Sequence, residues 1–377
     1  MDRRQFLAAA SATGLTAFTG IGAAASPLSA SDDWQTATPA SVGINPALLE
    51  QLVKQIRAGE HSNIHSLLVI RHGKLVREEY FSGPDERRDP VVGSRPVGFV
   101  KFDANALHDM RSVTKSVVSI LFGIAQSQGL IGDVDRPVMS FFPEYADLAT
   151  PERNKILLRH VLSMTPGWEW DEDSTPYGNP ANSETAMDNS PDQYRYVLER
   201  KIIGPPGGKF QYDGGTTLLL GEMLSRATKM PIEQFAEKVL FRPIGIRQYE
   251  WIRYRNGKAI PASGLRLRPR DLARIGYLYL HQGRWDGQVV PEAWVQMSTK
   301  PQAPEGFYGF QWWVGKSGEP FGPSGAWKMA LGYGGQRCLV CPALDLIVVT
   351  TAGLFNDRQQ SNIVHKVLRQ CVEAVRA

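Results

Sequence analysis

Ser112 and Lys115 stand three residues apart in "HDMRSVTKSVVSILFGIAQ" (residues 108–126), the only Ser-x-x-Lys in the chain. A serine hydroxyl is a poor nucleophile until a neighbouring base takes its proton. On a helix, residues i and i+3 share one face with their Cβ atoms about 5–6 Å apart, so the amine of Lys115 can reach back to the hydroxyl. The free N–H groups of a helix's first turn favour developing negative charge there. Burial of the lysine would lower its pKa toward that of a working base. The same residues also read as an ordinary helix start. Serine is a natural N-cap, and Val113, Val117, Ile120, Leu121 and Ile124 fall at helical spacing. The spacing permits catalysis without requiring it.

A hydrolytic site needs a further proton-handling group and donors for an oxyanion. Two later stretches offer them. "GGKFQYDGGTTLLLGEML" (207–224) puts Tyr212 in a glycine-rich turn directly before an apolar helix. "KMALGYGGQRCLVCP" (328–342) puts Gly332, Tyr333, Gly334 and Gly335 at the start of a C-terminal strand, where glycines let a substrate approach the backbone.

The surrounding elements must bring these stretches together. Residues 46–58 have helical periodicity, and "HSLLVIRHGKLVREEYF" (65–81) reads as a hairpin turning at His72-Gly73. Residues 82–106 read as a Pro/Gly-rich loop leading to the Ser112 helix. The stretch from 120 to 300 is mostly helical, with long polar connections such as 171–192. Strands return in "FYGFQWWVG", "QRCLVCP" and "LDLIVVTTAG", and a helix over 358–376 closes the chain. Strands at both ends with helices between imply an α+β fold: one antiparallel sheet built from both chain ends, with an inserted all-helical lobe and a cleft between them.

In this order, Ser112-x-x-Lys115, Tyr212 and the glycine-rich final strand resemble the serine β-lactamase and penicillin-binding protein superfamily. The likeness is greatest to its class C β-lactamase-like esterases and 6-aminohexanoate-oligomer hydrolases. The segment 263–294 also resembles that family, so the likeness spans nearly all of residues 31–377 as one β-lactamase/transpeptidase-like domain. It implies Ser112 as nucleophile, with Lys115 and Tyr212 handling protons. It further implies an oxyanion hole from the backbone N–H groups of Ser112 and Tyr333. Gly332, Gly334 and Gly335 would lie against the substrate, and Trp168, Trp170, Trp312 and Trp313 are candidates to wall the cleft.

Three departures stand out. Many relatives have Tyr-x-Asn, whereas Tyr212-Asp213-Gly214 lacks the asparagine. Many have Lys-Thr-Gly or His-Thr-Gly on the final strand, whereas Ala330-Leu331-Gly332 stands here. Arg337 is close by but reads as a surface residue. Trp170 falls where the nylon-oligomer hydrolases have a substrate-binding tyrosine. The resemblance therefore implies a small-molecule ester or amide substrate and no cofactor. A β-lactamase or D-alanyl-D-alanine carboxypeptidase is the alternative, and a non-catalytic sensor or binding protein that is acylated, or merely binds, in the same cleft is the rival from another class.

Composition narrows the rest. The 377 residues are 42% hydrophobic and 21% charged with a net charge of +4, and they contain no Lys/Arg run that would suit nucleic acid. "MDRRQFLAAASATGLTAFTGIGAAASPLSA" (1–30) reads as a signal peptide of the twin-arginine type, predicting export to the periplasm or beyond. No later run is long and apolar enough to span a membrane. The seven histidines form no His-x-His or His-Glu-x-x-His pattern, so no metal site is expected. Cys338 and Cys341 sit on one predicted strand and point to opposite faces, which excludes a bridge between them.

Overall fold

The computed structural model describes residues 34–316, 321 and 325–375. The candidate signal peptide at 1–30 lies outside them. In chain order the strands are β1 (Ile64–Arg71), β2 (Lys74–Tyr80), β3 (Ser82–Asp89), β4 (Gly93–Lys101), β5 (His108–Asp109), β6 (Tyr249–Trp251), β7 (Leu265–Leu267), β8 (Trp313–Gly315), β9 (Trp327–Gly332), β10 (Gln336–Cys341) and β11 (Leu346–Ala352).

Both chain ends build the main sheet, which runs β2-β1-β11-β10-β9-β8 and is antiparallel throughout. Its strands alternate between two cores. Leu67, Val69, Leu339 and Val348 meet the helices Pro46–Arg57 and Gln360–Glu373 on one face. Leu68, Ile70, Val340 and Ile347 meet the helix Pro269–Leu280 on the other. Cys338 belongs to one core and Cys341 to the other, and all three cysteines are free.

The helix Val113–Ser127 is more enclosed than its apolar stripe implied. Every residue from Val113 to Ala125 is buried. It is surrounded by the helices Gly214–Thr228 and Glu292–Ser298 and the end of β9. Burying one large apolar side chain contributes about 1.5–3 kcal/mol, so its Val, Ile, Leu and Phe residues fix the position of Ser112 at its head. The middle of the chain carries the remaining helices, together with the small sheet β5-β7-β6.

The segment 82–106, expected as a loop, is largely the two-stranded hairpin of β3 and β4. Among the described residues its strands have no third partner strand, so both lie at an edge, where prolines such as those at 84 and 96 are accommodated. Polar anchors replace an apolar face. Arg88 is buried and pairs with Asp188, and its backbone N–H donates to Asp109.

Candidate active site

Ser112 is the N-cap of its helix but makes no capping bond with its side chain, which leaves the hydroxyl available. The residue before it, Arg111, has φ +49°, a left-handed conformation that costs a non-glycine residue on the order of 1–3 kcal/mol. The turn is held because the Arg111 carbonyl accepts from both the N–H and the hydroxyl of Thr114, at 2.9 and 2.6 Å. The Arg111 guanidinium donates to the Gly93 carbonyl and to Ser94 Oγ, and lies over the Phe355 ring.

Lys115 is 1% exposed. Its Nζ donates to Ser112 Oγ at 3.1 Å and to the Ala262 carbonyl at 3.1 Å, and sits 5.1 Å from the Tyr212 ring centroid. Tyr212 is positioned by the next residue. Asp213 caps the helix Gly214–Thr228 by accepting the Thr216 N–H at 3.0 Å, and it also accepts the Trp168 indole N–H at 2.7 Å. Burial pushes the Asp213 carboxyl up to about 7. Burial also pushes the Tyr212 phenol well above its usual range, and the charge of Glu172 adds to the effect; the hydrogen bond with Ser112 works the other way.

Ser112, Tyr212 and Tyr333 line one cleft of about 600 Å³. Gly332 explains how β9 comes so close: a Cβ there would stand 2.2 Å from the Met110 carbonyl oxygen, so only glycine lets this strand lie against the backbone that leads into Ser112. The chain then turns and delivers Tyr333 to the cleft. Gly332, Gly334 and Gly335 do not themselves line it. Gly334 faces the Phe355 ring and Gly335 faces Ala352, so their expected substrate contact is replaced by packing beneath Tyr333.

The tryptophans divide in the same way. Trp168 and Trp170 are each 2% exposed and lie in the core. Their indole N–H groups hold carboxylates behind the site, Trp168 on Asp213 and Trp170 on Glu172 at 2.9 Å. They do not wall the cleft as expected, because each sits behind the loop that does. Trp312 is buried against Tyr279. Trp313 alone of the four faces the cleft, stacked near Tyr212 and Phe307 and beside Phe210.

Arg337 contradicts its surface reading. It is 1% exposed, because β10 is an inner strand of the sheet, and its side chain reaches the cleft wall. Its Nη1 donates to the carbonyls of Gly332 and Gln336, and its Nε has no hydrogen-bond partner among the described residues. Burial lowers it to about 10. Arg337 thus brings a cation to the cleft wall from β10, in the register that sets it opposite Leu331 on β9.

Sequence reading missed the wall opposite Trp313. Glu172 through Tyr177 come from the polar connection after Trp170, and Asn356 through Arg358 come from the loop after β11. Glu172 is buried and accepts from the Gly214 N–H at 2.6 Å, the Trp170 indole and the Tyr177 hydroxyl at 2.9 Å. Burial and neighbouring Glu184 push its carboxyl up. Gly214 leaves that room: a Cβ there would stand 3.0 Å from Glu172 Oε2. Among the described residues no cluster of three or more metal-ligating side chains occurs.

This arrangement agrees with kinship. Residues 49–367 match the beta-lactamase family, and the chain belongs to it. That family's members are generally serine hydrolases. The chain is 24% identical over 221 residues to a candidate D-alanyl-D-alanine carboxypeptidase of Salmonella typhimurium, a match covering 56% of this chain. It spans about half the length of that relative, 49%. Among solved structures, a candidate 6-aminohexanoate-dimer hydrolase from Bacillus anthracis is similar at a TM-score of 0.67 and 18% identity, covering 84% of this chain and 81% of that one. An octameric penicillin-binding protein homologue from Pyrococcus abyssi is similar at 0.61 and 16% identity, covering 85% and 76%. At these identities the structures share the fold.

Proposed function

We propose that the protein is an exported serine hydrolase that cleaves a small ester or amide through an acyl-Ser112 intermediate. The observation that carries this is the 3.1 Å contact of a buried lysine amine with a serine hydroxyl at the floor of an open cleft. In this reading Lys115 takes the Ser112 proton as Oγ attacks the carbonyl carbon. The oxyanion is held by the backbone N–H groups of Ser112 and Tyr333. Tyr212, which burial keeps protonated, donates a proton to the departing oxygen or nitrogen. The aromatic wall of Trp313 and Phe210 suits an apolar substituent. Export rests on the paired arginines and apolar run of residues 1–30.

A fluorophosphonate is expected to add its mass to the peptide containing Ser112 in the wild type and not in Ser112→Ala. A reporter ester should be hydrolysed by the first and not the second. Hydrolysis that persists in Ser112→Ala would overturn the reading.

Arg337 favours a second reading, in which the substrate bears a carboxylate, as in a β-lactamase or a D-alanyl-D-alanine carboxypeptidase. A buried guanidinium with an unpartnered Nε at the cleft wall is a ready partner for such a group. Relative turnover of p-nitrophenyl butyrate and a chromogenic cephalosporin separates the two.

A further inference from the structure

We propose that a small recess beside Ser112 holds the water that hydrolyses the acyl-enzyme, and that Glu184 is the base that activates it. The proposal rests on the acyl-Ser112 reading above. It concerns the second half of the reaction, the hydrolysis of the acyl-enzyme.

The recess is distinct from the substrate cleft, and the two meet at Ser112, Tyr177 and Tyr333. Its volume is about 20 Å³. A polar cavity needs roughly 10–15 Å³ of such space to hold one water, along with two or more polar partners. The partners are present in Glu184, Ser263, Arg88 and Arg111. Arg111 is nine-tenths buried, and its Nε has no hydrogen-bond partner among the described residues; it lies 3.7 Å from Asp109 Oδ2, beyond hydrogen-bond range. A buried donor of this kind commonly signals a water.

Glu184 is better placed for the role than the other carboxyls nearby. Glu172 already accepts three donors. Asp188 is the ion-pair partner of Arg88. Among the described residues Glu184 accepts only a long bond from Ser263 Oγ, at 3.3 Å, and it stands 3.9 Å from Arg88 Nη2. Arg88 therefore stands beside Glu184 without occupying its oxygens. An acyl group on Ser112 Oγ would sit where cleft and recess join, within reach of a water held in the recess.

The water oxygen attacks the acyl carbon while Glu184 takes one of its protons. The tetrahedral intermediate then collapses, the bond from the acyl carbon to Ser112 Oγ breaks, and Oγ takes a proton from Lys115. The proton on Glu184 passes through the next water to the Tyr212 phenolate left by acylation, so that lysine, phenol and carboxylate end as they began. The sum is acyl-serine plus water giving free acid and serine.

Glu184→Gln keeps the shape and removes the base. With p-nitrophenyl butyrate, the wild type and the variant should acylate at similar rates. Steady-state turnover of the variant should fall by about 10²–10⁴-fold. A burst of one p-nitrophenol per site should appear, and the intact variant should carry the butyryl mass on Ser112. Glu184→Asp preserves the charge near Arg88 but withdraws the oxygens, and should show the same burst. Both variants should keep the wild-type circular dichroism. Loss of acylation and turnover together would mark Glu184 as structural and overturn the proposal. Acyl-enzyme accumulating in Glu172→Gln but not in the Glu184 variants would move the role to Glu172. Absence of any Ser112 adduct, even with a fluorophosphonate on the wild type, would instead sink the nucleophile assignment itself.

Discussion

Arg337 Nη1 donates to the carbonyl of Gly332 at 2.6 Å, which ties a buried cation on β10 to the residue where β9 turns toward the cleft. A guanidinium that braces β9 and reaches the cleft wall should affect substrates unequally. Charge-assisted hydrogen bonds contribute about 1.5–3 kcal/mol. Arg337→Met is therefore expected to lower kcat/KM for a carboxylate-bearing ester by about 10–100-fold, while leaving p-nitrophenyl butyrate within a few-fold. Equal losses on both substrates would assign Arg337 to strand support alone and remove the case for a carboxylate-bearing substrate.

Lys115→Ala and Tyr212→Phe are each expected to reduce kcat by about 10²–10⁴-fold with the fold intact. Tyr212 should act in its protonated form, because burial and the charge of Glu172 both oppose a phenolate. The rate should consequently show no alkaline limb from Tyr212 ionisation below pH 10. An alkaline limb present in the wild type and absent in Tyr212→Phe would refute that assignment.

The proposed oxyanion hole of Ser112 and Tyr333 separates backbone from side chain. Tyr333→Phe keeps the N–H but loses the hydroxyl that donates to Asn356 Oδ1 at 3.0 Å, so kcat should hold while melting falls slightly. Tyr333→Pro removes the N–H, and loss of one such donor costs roughly 10²–10³ in kcat. Circular dichroism on the proline variant establishes that it folds before its rate is compared.

The sheet and the helix at Ser112 were legible because apolar runs bounded by turns and helical spacing are local signatures, whereas Tyr212 was joined to Ser112 and Lys115 by the order of the motifs and the family they resemble. The β3–β4 hairpin was not legible, since its order comes from long-range polar anchors such as Arg88 with Asp188, which leave no apolar alternation. Arg337 misled for a related reason. A charged residue in a strand reads as exposed until the register shows that its strand is an inner one. Trp168 and Trp170 are adjacent to the site in sequence but serve it from behind. Nothing in "GWEWDED" tells which side of the loop faces the cleft.

His65 supplies the final expectation, concerning acid stability. It stacks on Phe102 at 4.1 Å, His108 packs on the same ring at 4.5 Å with 5.9 Å between the two imidazoles, and the His65 Nε2 meets Asn63 Oδ1 and the Pro84 carbonyl. Burial lowers His65 to about 4, and burial with the neighbouring His65 and Arg266 lowers His108 well below its ordinary value. Unfolding releases His65 to an ordinary value of 6.5, so below that pH the unfolded chain binds the proton that the folded chain refuses. The contribution is fully present above pH 6.5 and is lost progressively as pH falls toward 4. At 1.36 kcal/mol per unit, the loss from His65 comes to about 3 kcal/mol. Melting temperature measured from pH 7 to pH 4.5 should drop steeply in the wild type and less in His65→Gln. Identical pH slopes in the two proteins would exclude His65 as the titrating group.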